Sequence, residues 1–384
     1  MTTIRLRCRW LFAVVVLVLG WAMPPPTVIG QSPGGEQAGD PAAALFTNAD
    51  VTRATGQTDD AIGKYQRVMA EYPASIWAAR SALESARSMV GQGKWAPAMR
   101  QMQEVYLGFP GTREAEQALE RNTILHRFRL RQGQPVFRYA RTAVNGQSLL
   151  RRVIDVDMDS GGRVYIATRQ SLAVFNESGA LVRTEPADEI RGLAMQADAP
   201  ALFYERGLRK GPSALVSIAI PDQNRLREAD IQAGAATAGE GMLIADRRTK
   251  AIHRVSASGA YLSRLAPVDA VRMAVGPRGE VAAIERDTRV VHLVAADGKT
   301  RPVPAAGAGY LLRGPIDVAF DALGQLYVLE RESVVVFAAT GEFLSVFAPG
   351  AAPGAFRTAV ALHVDGAGRL YVYDDDSERL QVFQ

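Results

Sequence analysis

The stretch Ile316–Phe347, IDVAFDALGQLYVLERESVVVFAATGEFLSVF, decides how the rest of the chain is read. An Asp-x-x-Gly step, Asp321 to Gly324, separates a first apolar run from a second at Leu326 to Leu329. The charged turn Glu330-Arg331-Glu332 leads to Val334-Val335-Val336-Phe337, and Thr340-Gly341 opens a last run ending at Phe347. Four short apolar runs divided by turn chemistry predict a small antiparallel sheet of four strands.

Five relatives of this unit occupy the last 250 or so residues. Their clearest marker closes the second run, at Thr168, Glu205, Asp246, Glu285, Glu330 and Asp374, a period of roughly 40 residues. Second runs such as Val164 to Ala167, Met242 to Ala245 and Leu370 to Tyr373 are apolar at successive positions, as a strand covered on both faces requires. Six such units predict a six-bladed all-β propeller over residues 134–384. The sixth unit ends after its third run, Leu380 to Phe383, so a strand is missing. The segment from Gln134 to Arg141, QPVFRYAR, is expected to supply it, sealing the ring and covering an open sheet edge.

The order Asp-x-x-Gly, Leu-Tyr-Val, acid, Val-Phe run and Thr-Gly turn resembles the NHL-repeat family of six-bladed propellers. Asp159 to Gly162, Asp321 to Gly324 and Asp365 to Gly368 carry the likeness most clearly. The second unit departs from it, with Ala197-Asp198-Ala199-Pro200 in place of the glycine turn. Some propellers resembling this one are lactonases or lyases, which use a metal at the channel mouth or a His with a neighbouring acid.

Ahead of the propeller, residues 44–130 show helical periodicity. Ala61, Ile62, Tyr65, Val68, Met69 and Tyr72 share one helix face. Ala98, Val105, Pro110 and Thr112 repeat Ala61, Val68, Pro73 and Ser75 at a spacing of 37 residues. In both copies proline ends a helix and a hydroxyl follows to cap the next. The pattern resembles tetratricopeptide-like repeats, which implies a surface for peptide or protein partners. Trp77, Trp95, Tyr65 and Phe109 are read as core between helices, and His126 as a surface or capping residue.

At the start, Arg5, Arg7 and Arg9 precede an apolar run from Trp10 to Met23 and a small-residue region around Gly30. That order predicts an export signal over residues 1–30 and a periplasmic or extracellular protein, with an uncleaved membrane anchor as the alternative. Residues 31–43 read as a flexible linker. The single cysteine, Cys8, would leave with the signal, and so would three of the four surplus positive charges. A mature charge near +1 gives no reason to expect nucleic acid as a partner.

Three groups of residues invite chemistry. Arginine follows the strand-end marker in five units, at Arg169, Arg206, Arg247, Arg286 and Arg331, a set placed to bind an anionic glycan or peptide on one face. The alternative is that each acid orders its own turn and each arginine pairs with an acid nearby. His253 and His292 share a column of the third strand without a third ligand, so neither a metal site nor a cofactor is expected. His363 and Asp157 interrupt a column of the innermost strand where Ala194, Ala274 and Ala319 stand. In a closed ring they meet at the seam, as an acid-base couple or as a buried polar latch. There is no P-loop, no Gly-x-Ser-x-Gly and no Rossmann fingerprint. The preferred reading is an exported, non-enzymatic binding or scaffold protein of the cell envelope. The alternative is a lactonase-like hydrolase or lyase with its site at the channel mouth.

Overall fold

A computed structural model describes residues 39–130, 135–146, 150–222, 225–239, 241–304, 309–350 and 354–384. The expected export signal and all but the end of the linker lie outside them. Five helices come first: α1 Pro41–Ala54, α2 Thr58–Glu71, α3 Ile76–Gly91, α4 Trp95–Gly108 and α5 Arg113–Arg129. α1 takes in residues 41–43, which the sequence reading gave to the linker. Proline suits the first helical position because its missing N–H would have no partner there, and an Ala-rich run follows. Ala61, Ala98, Val68 and Val105 are fully buried. Ser75 caps α3 by accepting the Trp77 amide at 3.1 Å, and Thr112 caps α5 by accepting the Ala115 amide at 3.2 Å. The Trp77 and Phe46 rings lie 5.0 Å apart, and Trp95 lies under the Arg129 guanidinium. None of the described helices is long and apolar enough to cross a membrane.

The propeller has six four-stranded antiparallel sheets. Their inner strands are Val153–Met158, Ile190–Gln196, Ile231–Ala236, Ala270–Val275, Asp317–Phe320 and Ala359–Val364, one for each of blades 1 to 6. Neighbouring inner strands touch in cyclic order, blade 6 returning to blade 1. The outer strand of blade 6 is Tyr139–Val144, which pairs antiparallel with Arg379–Phe383, Tyr139 opposite Phe383 and Val144 opposite Leu380. The expected closing segment was 134–141. Ahead of the strand, Arg138 and Gln384 exchange backbone hydrogen bonds, and Phe137 turns into the core between blades 5 and 6.

The Asp-x-x-Gly turns have a shared construction. Asp321 accepts the amides of Leu323 and Gln325 at 2.9 Å and the hydroxyl of buried Tyr327 at 3.0 Å. Tyr165 and Tyr371 make the same bond to Asp159 and Asp365. The closing glycines, Gly162, Gly324 and Gly368, all have φ between +71° and +80°, which a side chain would strain. Blade 2 manages without glycine: Ala197 and Asp198 both take positive φ, and the Asp198 carboxylate accepts from the amide and hydroxyl of Ser160 in blade 1. Its third and outer strands, Gly207–Lys210 and Val216–Ser217, are short, and a hairpin of Ala219–Asp222 and Arg225–Glu228 fills out the unit.

The helices and the propeller belong to one compact unit spanning residues 41–384. Ile124 and Leu125 of α5 share a core with Leu323, from the turn of blade 5. Arg127 donates to the Gly368 carbonyl and covers the Phe137 ring, while Phe128 packs edge-on against Phe137. The helices therefore sit on the face that carries the Asp-x-x-Gly turns. Deleting Tyr139–Val144 is expected to abolish the cooperative thermal transition of the β-structure, followed by circular dichroism, because it opens an edge and strips the cover from blade 6. A truncated chain that melts like the parent would contradict this closure.

Candidate active site

Strand register places side chains around the axis of the ring in matching columns. Asp157, Ala194, Ala235, Ala274, Ala319 and His363 form one column, each opposite an equivalent second-strand residue. Two positions nearer the strand starts, the same pairings align Asp155, Gly192, Ala233, Arg272, Asp317 and Ala361. Small residues on blades 2 and 3 leave space, and polar residues on blades 1, 4, 5 and 6 face it. The result is a central cavity of about 230 Å³ bordered by all six inner strands.

His363 and Asp157 meet across the seam, Nδ1 to Oδ1 at 3.0 Å, with side chains 18% and 21% exposed. The other Asp157 oxygen accepts the Met195 amide of blade 2 at 2.7 Å. One carboxylate thus joins blades 6, 1 and 2. Asp155 repeats the device by accepting the Leu193 amide at 2.9 Å, and Asp317 accepts the Leu362 amide at 2.9 Å. Arg272 reaches from blade 4 across the channel, donating to the Ile154 carbonyl of blade 1 at 3.0 Å and lying 4.0 Å from Asp317. It also borders a second cavity of about 530 Å³ at the opposite mouth, so its side chain stands between the two.

Burial raises the pKa of Asp155, reinforced by the Asp317 charge and opposed by Arg272. Burial raises Asp317 as well, against Arg272 and the amides it accepts. One guanidinium faces two acids, so the pair holds a proton well above the usual carboxylate range. For His363 burial acts downward, but the hydrogen bond and charge of Asp157, with Asp365 and Asp155 beyond, raise its pKa overall. The cluster therefore offers an imidazole oriented by a carboxylate, a pair of acids that retains a proton and a cation around one space, the components of general acid-base chemistry.

The sequence reading brought His363 to Asp157 but missed Asp155, Arg272 and Asp317. Their signal was available in the next column of the same alignment, where two acids and an arginine interrupt small residues. The other candidates lie elsewhere. The strand-end acids cap turns: Asp246 accepts from the amides of Asp230 and Thr249, Asp374 from those of Arg357, Thr358 and Ser377, and Glu330 from Tyr310 and Ser333. In blade 2 the matching position is Tyr204, opposite Ile190, so Glu205 stands one residue beyond the column. The five arginines occupy the face opposite the helices. Arg206 pairs with Glu228 at 3.4 Å and Arg286 with Asp269 at 3.1 Å, Arg331 donates to the Arg357 carbonyl, and Arg169 and Arg247 are exposed. His253 bonds the Thr249 hydroxyl at 2.7 Å and His292 faces Glu285 at 3.3 Å, each standing on a third strand and reaching back to the turn before it, away from the channel. Among the described residues no group of three or more His, Cys, Asp or Glu is arranged to hold a metal ion.

Neither a protein-family model nor a curated protein matches the chain. Solved structures share its fold. A protein of unknown function from Bacteroides thetaiotaomicron matches with 10% identity and a TM-score of 0.50, over 64% of this chain and 75% of that one. A streptogramin B lyase matches with 9% identity and a TM-score of 0.46, over 65% and 97%. A gluconolactonase from Xanthomonas campestris matches with 13% identity and a TM-score of 0.49, over 66% and 95%. At these identities the likeness concerns the fold alone. This is a six-bladed propeller protein with a short helical-repeat-like segment ahead of it. One expectation is corrected: the preference against an enzyme does not stand, because propellers of this fold include a lyase and a gluconolactonase.

The raised pKa values fix the direction of a pH effect. In each case the folded state keeps a proton that the unfolded chain has released, so stability falls as pH rises. The window opens near the ordinary value of 3.8 for Asp155 and Asp317 and near 6.5 for His363. Melting temperature is expected to fall from about pH 4 through about pH 7 for the acids, and further above pH 6.5 as His363 titrates. Asp155→Asn should flatten the acidic part of the profile and His363→Gln the neutral part. Unchanged profiles in both variants would show that these groups titrate normally.

Proposed function

We propose that the protein is a propeller-type hydrolase or lyase whose substrate enters the central channel, with His363 as the proton-transferring group and Asp157 orienting it. The observation that carries this reading is the convergence of His363, Asp157, Asp155, Asp317 and Arg272 on one cavity. Asp157 holds Nδ1 of the imidazole, which leaves Nε2 to exchange a proton with a ligand. A protonated carboxyl nearby suits donation to a leaving oxygen, and Arg272 suits charge developing on an ester or lactone carbonyl. Those roles select small lactones or esters as the substrate class.

We also propose that the protein works outside the cytoplasm, supported by the basic, apolar and small-residue order of residues 1–30. Partner proteins or peptides are assigned to the helical repeats, where Tyr106 and Leu107 of α4 are exposed. An anionic glycan or peptide is assigned to the arginine face, supported by exposed Arg169, Arg247 and Arg331. NHL-repeat kinship is supported by the repeated Asp-x-x-Gly turn with its tyrosine bond.

The full chain should open members of a panel of small lactones and esters, with His363→Gln lowering kcat by about 10² to 10⁴. Lack of turnover across the panel, or a His363→Gln variant as active as the parent, contradicts the assignment.

A further inference from the structure

A separate cavity of about 210 Å³ lies between α3, α5 and the turns of blades 4 and 5, and it shares no residue with the channel. It is far larger than the roughly 15 Å³ that a single water needs. Arg53, Arg87, Arg121 and Arg278 border it, and Glu84 is the one carboxylate among the described residues of its wall. Three of the arginines have acids of their own. Arg53 lies 3.6 Å from Asp50, Arg87 2.5 Å from Glu84 and Arg278 3.7 Å from Glu280.

Arg121 is different. It is only 6% exposed, and its Nη1 is engaged by the Gln117 carbonyl at 3.0 Å within the same helix. Its Nε is buried with no hydrogen-bond partner among the described residues. No ion pair joins it to a carboxylate among them. Burial, then the neighbouring Arg87 charge, lowers its pKa to about 10, which still leaves it charged at neutral pH. Glu120, Glu84 and Asp321 act on it through space without touching it, and a buried cation with no directly paired carboxylate is costly to a fold unless something else supplies the contact.

We propose that this cavity is a binding site for a small oxyanion, a phosphate or a carboxylate group, with Arg121 as its principal ligand and Arg87 and Arg278 flanking it. A guanidinium presents parallel N–H groups that match two oxygens of such a group. Because the wall is built from both helices and blade turns, an occupant ties α3 and α5 to the propeller and stabilises their docking by mass action. The site stands independently of catalysis in the channel.

The test uses the full chain, with inorganic phosphate and citrate as probes at constant ionic strength set by sodium chloride. One of the two should raise the melting temperature saturably and give a binding isotherm by calorimetry. Arg121→Gln should weaken that binding at least tenfold, while Arg100→Gln, an exposed change on α4, should leave it unchanged. A response to phosphate alone assigns a phosphate ligand, and a response to citrate alone assigns an organic acid. Binding of neither probe beyond the chloride control, or full affinity in Arg121→Gln, overturns the proposal. Should Arg121→Gln not fold, Arg87→Gln takes its place: reduced affinity supports the site and full affinity overturns it.

Discussion

Asp157 fastens three blades at the hub of the ring. The covalent break of the ring lies inside blade 6, whose outer strand comes from the start of the propeller sequence, and at the hub the inner strand of blade 6 meets that of blade 1. There the Asp157 carboxylate takes His363 of blade 6 on one oxygen and the Met195 amide of blade 2 on the other. The outer strand Tyr139–Val144 bridges the break by pairing with Arg379–Phe383, so blade 6 is built from both ends of the propeller sequence. Rim and hub depend on each other. The strand covers the sheet edge, and the hub contacts fix how the inner strands of blades 6, 1 and 2 approach one another.

The same carboxylates that fasten the blades bring chemistry into the channel. An acid that accepts a neighbour's amide is held in one rotamer, and for Asp155 and Asp317 burial keeps a proton on the pair at a pH where free acids would have lost it. Arg272, crossing from blade 4 to blade 1, neutralises part of that charge. Fastening and the proposed proton transfer draw on one set of residues, so a latch and an acid-base couple are compatible with a single arrangement. A substitution at Asp157 removes both the His363 contact and the Met195 bond, whereas one at His363 leaves the Met195 bond in place.

Much of this was legible in the sequence. The period of about 40 residues fixes six blades, and the Asp-x-x-Gly-x-x-Tyr spacing encodes a turn in which the acid binds the tyrosine hydroxyl. The missing fourth strand was legible because a sheet edge needs a partner. The His363 to Asp157 contact followed from aligning inner strands, since side chains in one column of a closed ring face one another. Asp155, Arg272 and Asp317 were overlooked because their column lies two residues away and carries no aromatic or turn marker. Glu205 was misaligned because blade 2 replaces the glycine turn with Ala197-Asp198, which shifts the marker by one. The docking of α5 on blades 5 and 6 rests on residues such as Leu323 and Gly368 that look like ordinary turn positions until both partners are placed. Arg121 likewise reads as one more helical arginine, and only its burial without a carboxylate sets it apart.

The account turns on the charge state of the seam. The chain has four histidines, so their imidazole signals can be assigned by substitution and titrated individually by NMR. His363 is predicted to titrate above the ordinary 6.5, and His253, buried beside Thr249, below it. In Asp157→Asn the His363 value should drop, since burial then acts without its counter-charge. A His363 pKa at or below 6.5 in the parent chain, or one that Asp157→Asn does not move, would contradict the charged couple on which both the closure of the ring and its proposed chemistry rest.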